Sequence, residues 1–124
     1  MVVIDTSVLI DHIRQKGKNS IFDRFAKDSQ DKFAISLLSV QELYEGKSTR
    51  HEEIESEIIS LINSLEVLSY EFENAKLAGE IARDLGRSID LADAAIAATA
   101  ILNKAKLLTF NKKDFKGIKG LKLI

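Results

Sequence analysis

Four acidic residues occupy places where a carboxylate has no simple structural role: Asp5, Glu42, Asp93 and Asp114. Asp5 ends an apolar run at the start of the chain, and Asp93 interrupts the nearly apolar segment LADAAIAATAIL. Glu42 follows a second apolar run in SLLSVQELYEG, and Asp114 comes after the strand-like KLLTF. Acids beside buried elements are costly unless they form ion pairs or bind a metal ion. Their wide separation along the chain predicts one site that the fold assembles.

Carboxylates brought together in this way are typical of a site for a divalent cation. Two of them held about 4 Å apart repel each other by roughly 4 kcal/mol at an effective dielectric of about 20. A cation removes that cost, and Mg²⁺ or Mn²⁺ suits a site made of oxygen atoms. Such an ion activates water and neutralises charge on a phosphodiester. The residue types therefore favour metal-dependent phosphodiester hydrolysis.

The composition limits the class of protein. The 124 residues, 45% hydrophobic and 30% charged, predict one globular domain over residues 1–124. The absence of cysteine excludes disulfide scaffolds, cysteine-based zinc sites and thiol nucleophiles. A formal net charge of −1 argues against a protein that coats DNA through surplus Lys and Arg. No signal peptide or membrane-spanning run is visible, so we expect a cytoplasmic protein that does not contact the membrane.

Short apolar runs alternate with amphipathic stretches, which predicts an α/β fold with a mainly parallel central sheet flanked by helices in three layers. The predicted strands cover residues 2–4, 33–35, 65–68, 106–109 and 121–123. The predicted helices cover residues 7–15, 19–27, 51–64, 72–85 and 91–103. The last helix is apolar on nearly every side, so we expect it to be the most buried.

The predicted sheet also predicts where the acids meet. In open parallel sheets, ligands bind beyond the carboxyl ends of the strands, where the strand order reverses. Asp5 stands at the end of the first strand, and Asn111 and Asp114 follow the fourth. We therefore expect these residues at one shared edge of the sheet.

Four segments of the chain together resemble a known family: VIDTSVLID, SVQELYEG, IDLADAAIAATAI and LLTFNKKDFKGIKGLKL. They are similar to the PIN-domain ribonucleases, and more narrowly to the VapC-type toxins of prokaryotic toxin–antitoxin pairs. The similarity runs from Val2 to Leu123, in the family's order and spacing. It implies one PIN domain and an endoribonuclease that depends on Mg²⁺ or Mn²⁺. It also implies an RNA substrate, a cognate antitoxin that holds the enzyme inactive, and a homodimer.

The resemblance also implies roles for individual residues. Asp5, Glu42 and Asp93 match the acids that hold the metal ion directly or through water. Ser7, together with Thr6, matches hydroxyl groups that orient the first acid. We therefore expect three metal-binding acids supported by two neighbouring hydroxyls.

The fourth member of the site has two candidates. Some family members carry an aspartate where this chain has Asn111, and others have an asparagine there with an acid three residues later, as at Asp114. Either side chain would orient the attacking water. Asp90 shares a helical face with Asp93, and it is expected either to join the site or to cap the helix.

Other polar and aromatic residues near the acids have simpler explanations. Lysines around Asp114 and cations after Glu42 either hold phosphates beside the cut or form a solvated face; they are Lys112, Lys113, Lys116, Lys47 and Arg50. Tyr44 is the aromatic residue expected nearest the site. The remaining phenylalanines of interest are predicted to lie in the core rather than to stack on bases: Phe22, Phe25, Phe33 and Phe72.

Three alternatives compete with a toxin. A housekeeping RNA-processing PIN nuclease would use the same acids, and a non-catalytic PIN-fold module would use the acidic cleft to bind a basic partner. Phosphoryl transfer on an aspartate would also place an acid at a strand end. That chemistry in phosphatases requires a second aspartate two residues after the first, where this chain has Ser7.

Overall fold

Five short parallel strands form the centre of the fold. The computed structural model describes all residues, 1–124. The strands are β1 (Val2–Ile4), β2 (Phe33–Ser36), β3 (Glu66–Leu68), β4 (Lys106–Leu108) and β5 (Lys122–Leu123). They form one sheet in the order β3-β2-β1-β4-β5, and every pairing is parallel. The predicted parallel sheet is confirmed.

Helices connect the strands on both faces of the sheet. They are α1 (Thr6–Arg14), α2 (Ile21–Asp28), α3 (Leu37–Glu45), α4 (Glu52–Asn63), α5 (Phe72–Asp84), α6 (Leu91–Leu102) and α7 (Lys112–Phe115). A 3-10 turn over Lys47–Arg50 joins α3 to α4. The predicted helices include neither α3 nor α7; α7 is a single helical turn, which is too short to show periodicity. None of the helices is both long and apolar enough to cross a membrane.

The alternation of side chains along β1 produces the three layers. Val2 and Ile4 pack in one hydrophobic core with residues of α1, α2, α3 and α4. Val3 points to the opposite face and packs in a second core with residues of α6 and α7. Because both faces of the sheet are covered, the central strand is apolar throughout. The three-layer α/β/α arrangement is confirmed.

The α5–α6 hairpin confirms one prediction and contradicts another. Every residue from Ala94 to Ala100 is buried, so α6 is the buried helix that the apolar run predicts. Phe72 was expected in the core, but its side chain is 76% exposed at the start of α5. The buried residues of α5 begin at Asn74, and Phe72 in the first turn projects beyond them. Helical periodicity identifies a face but does not show how far the neighbouring helix extends.

Two helices begin at acidic residues that do not cap them. Ser20 and Ser36 cap α2 and α3 conventionally, because each side chain accepts a hydrogen bond from a backbone N–H of the first turn. Asp5 and Asp90 occupy the equivalent positions before α1 and α6, yet neither carboxylate makes a capping hydrogen bond. Both carboxylates are therefore available for another role.

Candidate functional site

The site begins where the strand order reverses. The chain adds β2 and β3 on one side of β1, then adds β4 and β5 on the other, so the reversal lies between β1 and β4. The Asp5 N–H donates to the carbonyl oxygen of Leu108 at 2.9 Å, which extends the pairing to the end of β1. Asp5 and the residues after β4 therefore meet at the carboxyl edge of the sheet, as the sequence predicts.

Asp5 is held by two neutral donors. Its carboxylate is buried, with only 4% of the residue exposed. The Ser7 and Thr109 hydroxyls each donate to Oδ2 at 2.7 Å. Oδ1 accepts no hydrogen bond from the protein, and it is not sealed from solvent. One oxygen thus fixes the side chain, and the other remains available to a ligand.

Glu42 is held from α1 in a similar way. Thr6 Oγ1 lies 2.6 Å from Glu42 Oε1 and 2.9 Å from the Oγ of buried Ser39. A hydroxyl has one hydrogen, so Thr6 donates to the carboxylate and accepts from Ser39. Burial raises the pKa of Glu42, and the nearby charge of Asp5 adds to the effect of burial. Ser7 orients the first acid as expected, whereas Thr6 orients Glu42 instead.

Asp93 is the most perturbed acid of the site. Burial of its carboxyl at the start of α6 raises its pKa to about 7, and four neighbouring carboxylates add to the shift. These carboxylates belong to Asp5, Asp90, Asp114 and Glu42. Asp90 therefore lies at the helix start and also close to the other acids. We refer to the region bounded by these five carboxylates as the acidic cleft.

Asp114 enters the acidic cleft from α7. A cavity of about 170 Å³ is lined by Arg87, Ser88, Ile89, Asp90, Asp93 and Asp114. Asn111 is exposed and does not line this cavity; its backbone N–H donates to Thr109 Oγ1 at 3.0 Å. Of the two candidates for the fourth position, the fold brings Asp114 to the other acids.

Arg87 is the one cation that lines this cavity, and it does not pair with the acids. Its Nη2 donates to the carbonyl oxygens of Asp114 at 3.0 Å and Lys116 at 2.6 Å. Gly86, with a φ of +78°, ends α5 in the left-handed conformation immediately before it. Arg87 thus ties the end of α7 to the α5–α6 loop and leaves the carboxylates without an ion pair.

The arrangement fits a hard cation that keeps part of its water shell. All of the side chains that converge are oxygen ligands, and no salt bridge neutralises them. No three of them are placed to bind one metal ion directly. The cleft therefore differs from a closed cage of the zinc type, whereas Mg²⁺ is commonly held through one or two carboxylates and retained water.

Three residues of this region are absent from the sequence predictions: Thr109, Ser39 and Arg87. The position of Thr109 could have been predicted, because parallel pairing of β1 with β4 places the residue after Leu108 beside Asp5. No sequence pattern could have identified Ser39 or Arg87. The contact of Ser39 depends on the rotation of α3, and Arg87 donates to backbone carbonyls, which any residue provides. Tyr44, expected near the site, donates to Glu55 Oε1 at 3.2 Å.

Cavity size does not locate this site. A larger cavity of about 530 Å³ lies between the end of α1 and α4, and it contains none of the five acids. Its lining includes His12, Lys16 and Glu57, so it does not concentrate charge of one sign. The acidic cleft is distinguished by its charge rather than by its volume.

Comparison with known proteins identifies the family of the chain. Residues 2–121 match the model of the PIN domain family. The chain is 31% identical over 128 aligned positions to Ribonuclease VapC1 of Methanocaldococcus jannaschii, covering 98% of this chain and 85% of that protein. The DNA-bound VapBC structure from Salmonella typhimurium superposes with a TM-score of 0.86 at 28% identity, covering 99% of this chain and 96% of that chain. VapBC-1 from nontypeable Haemophilus influenzae superposes with a TM-score of 0.83 at 26% identity, covering 100% and 97%. The chain therefore belongs to the PIN-domain family and is of the VapC type.

Proposed function

We propose that this protein is a divalent-metal-dependent endoribonuclease, a toxin that cleaves RNA phosphodiester bonds and is held inactive by a cognate antitoxin. The observation that carries the proposal is the convergence of five carboxylates in one cleft, with no salt bridge to neutralise them. The similar curated protein is a ribonuclease, and the similar structures are VapBC assemblies. A site of this charge is stable in its ionised form only when a cation binds.

In this proposal the three predicted acids Asp5, Glu42 and Asp93 hold Mg²⁺ or Mn²⁺, directly or through water. The free Oδ1 of Asp5 is one such contact, while the hydroxyls of Ser7 and Thr6 keep the Asp5 and Glu42 carboxylates in position. When bound, the cation supplies Lewis-acid activation of water and neutralises charge on the phosphodiester.

The other acids act around that centre. Asp114 accepts a hydrogen bond from the attacking water and so directs it at phosphorus, a role that the more exposed Asn111 would take only if its loop moved inward. Asp90 increases the negative potential at Asp93. Both contributions are positional or electrostatic, as expected when the protein orients reactants rather than reacting covalently.

Cleavage of RNA by the purified protein tests the proposal. Mn²⁺ or Mg²⁺ should support cutting, and EDTA should abolish it. Asp5→Asn and Asp93→Asn should each remove activity, whereas Asp28→Asn at an exposed position of α2 should retain it. Unchanged cutting by both cleft variants, or in EDTA, would refute a metal site here.

The antitoxin partner is tested separately. Expression of the wild-type chain should arrest growth, the Asp5→Asn chain should not, and co-expression of a short protein encoded directly upstream should restore growth. A housekeeping RNA-processing enzyme would cleave RNA without this toxicity and without such a partner. An absence of arrest together with active enzyme would therefore exclude the toxin while retaining the nuclease.

The proposal includes the homodimer and cytoplasmic location expected from the resemblance. The exposed Phe72 at the start of α5 supports a dimer, because a large apolar side chain at the surface gains free energy when a second copy covers it. Sedimentation of the wild type and of Phe72→Ser at equal concentration tests this. A monomeric wild type would rule the dimer out.

A further inference from the structure

The last part of the chain carries a concentration of positive charge. Residues 104–124 contain seven lysines and a single acid, Asp114. All seven lysines are exposed, and none forms a salt bridge. We refer to them as the lysine surface: Lys104, Lys106, Lys112, Lys113, Lys116, Lys119 and Lys122. The whole chain has a net charge of −1, so the rest of the molecule is correspondingly acidic.

Two of these lysines are placed against each other. Lys106 of β4 and Lys122 of β5 are register partners in adjacent parallel strands. Such partners share a face of the sheet at a strand spacing of about 4.8 Å, and like charges in that position destabilise the pair. Lysine on an edge strand guards against aggregation, which explains Lys122 but not Lys106 on the inner strand. The repulsion between the two ammonium groups is locally unfavourable, and a bound polyanion would reduce it.

The lysine surface reaches the rim of the acidic cleft. Lys112 and Lys113 belong to α7, the helix that carries Asp114 into the cleft. Arg87 fixes this end through the carbonyl oxygens of Asp114 and Lys116. The Lys106–Lys122 pair lies at the other end of β4, about 10 Å away for three residues of strand. The lysines of α7 thus flank the cleft, and the Lys106–Lys122 pair places further positive charge at the opposite end of β4.

We propose that the lysine surface binds the phosphate backbone of an RNA strand and leads it into the acidic cleft. The inference rests on the proposed function, which it deepens by assigning where the substrate lies. Five carboxylates repel a phosphodiester, so in the metal-free protein the attraction that brings RNA to the cleft comes from cations outside it. Lysines present point charges rather than planar forks, so they hold phosphates without reading bases. Sequence preference must then arise at the cleft itself.

The double variant Lys106→Gln with Lys122→Gln tests this, because both positions are remote from the acids. We expect weaker binding of a single-stranded RNA of about 20 nucleotides, by about tenfold near 0.1 M salt, with a salt slope shallower by about 1.4 for two lost contacts. A fragment of about four nucleotides, long enough only for the cleft, should bind as it does to the wild type. Fluorescence anisotropy without metal measures binding and avoids cutting.

A matched control removes two charges elsewhere. Lys18→Gln with Arg24→Gln changes two exposed, unpaired cations at and before α2, outside the lysine surface. This control should leave the salt slope within about 0.3 of the wild type. Thermal melting should show both variants folded, and the loss of the Lys106–Lys122 repulsion should leave the first at least as stable as the wild type.

The outcomes separate this inference from the proposed function. Equal binding and equal salt slopes for the lysine and control variants would overturn the lysine surface as an RNA site. Displacement of the long RNA by poly-glutamate at equal charge concentration would overturn it as well, in favour of an acidic protein partner. Cleavage of the short fragment with Mn²⁺ reports on the cleft alone. Loss of that cleavage with lysine-dependent binding intact would refute the nuclease and keep the RNA surface.

Discussion

The two sides of the acidic cleft are built differently. The first side consists of Asp5 and Glu42, and we call it the strand side because Asp5 ends β1. Both carboxylates accept hydrogen bonds from hydroxyl groups at 2.6 to 2.7 Å. On the helix side, the carboxylates of Asp90, Asp93 and Asp114 accept no hydrogen bond from the protein. Neutral donors hold a carboxylate in place without cancelling its charge. One side is therefore fixed in position by hydrogen bonds, whereas the carboxylates of the other side repel each other without such support.

This contrast separates positioning from charge. The donors on the strand side come from α1 and from the residue after β4, so the fold itself sets the direction of Asp5. The helix side has only burial and repulsion, which raise the pKa of Asp93 to about 7. Sites that violate a local rule of stability are the ones expected to serve function.

Neutralising one acid on each side gives the largest expected effect. Asp5→Asn and Asp93→Asn should each lower RNA cleavage by about 10³-fold or more, since each removes a charge that holds the proposed cation. Their effects on the metal-free protein should have opposite signs. Asp93→Asn should raise the melting temperature by removing a repelled charge, and Asp5→Asn should lower it by weakening charge-assisted hydrogen bonds. Similar stabilisation by both would show that the two sides do not differ.

Releasing α7 from the α5–α6 loop should have the next largest effect. Arg87→Ala removes both hydrogen bonds to the carbonyl oxygens of Asp114 and Lys116. Displacement of Asp114 should lower kcat by roughly 10- to 100-fold. Arg87→Lys should recover part of this loss, because an ammonium group still donates to one carbonyl. A change in KM alone, with kcat intact, would assign Arg87 to substrate binding instead.

Loosening the strand side should have a smaller effect. Thr109→Val removes the hydroxyl that donates to Asp5 Oδ2 and accepts from the Asn111 N–H. Metal affinity, measured by calorimetric titration with Mn²⁺, should fall by about tenfold, as for other residues that orient metal ligands. Thr109→Ser keeps the hydroxyl and should behave nearly as the wild type. Equal losses in both variants would point to the methyl group and packing rather than to the hydrogen bond.

The pH dependence of stability should give the smallest signal. In the folded, metal-free protein Asp93 has a pKa of about 7, against an ordinary value of 3.8. Between these values the folded state binds more protons, so the contribution of Asp93 to stability falls as pH rises. The difference in melting temperature between the wild type and Asp93→Asn should therefore widen from pH 4 to pH 7. Saturating Mn²⁺ should reverse the trend, and a constant difference would show that Asp93 is not perturbed.

The fold was predictable because its signals are local. Three consecutive apolar residues in β1 require cover on both faces, and the apolar run of α6 requires burial, so the layers follow from the sequence. The convergence of Asp5 with the residues after β4 follows from parallel pairing alone. The hydrogen-bond partners of the side chains in the cleft could not be predicted from the sequence. Whether Thr6 turns to Asp5 or to Glu42 depends on the rotation of α3 against α1, which periodicity does not define.

Residue type and spacing do not distinguish an acid that caps a helix from an acid that faces the cleft. Asp90 illustrates the difference. Its position before α6 is compatible with capping, and only the geometry shows that the carboxylate makes no capping bond and acts on Asp93 instead. Arg87 illustrates the converse, because a guanidinium among acids suggests ion pairs and here serves backbone carbonyls.

The hydrogen bond between Thr109 and Asp5 spans 104 positions of the chain, and this bears on how the protein is synthesised. The middle strand emerges from the ribosome first, but one of its two neighbours is made almost last. A nascent chain that lacks β4 already carries Asp5, Glu42 and Asp93 and can pair β1 with β2, yet it lacks the Leu108 carbonyl and the Thr109 hydroxyl that hold Asp5 in place. A chain ending at Asn103 should bind no Mn²⁺ and cut no RNA. An enzyme of the proposed kind would thus stay harmless to the ribosome that is translating it.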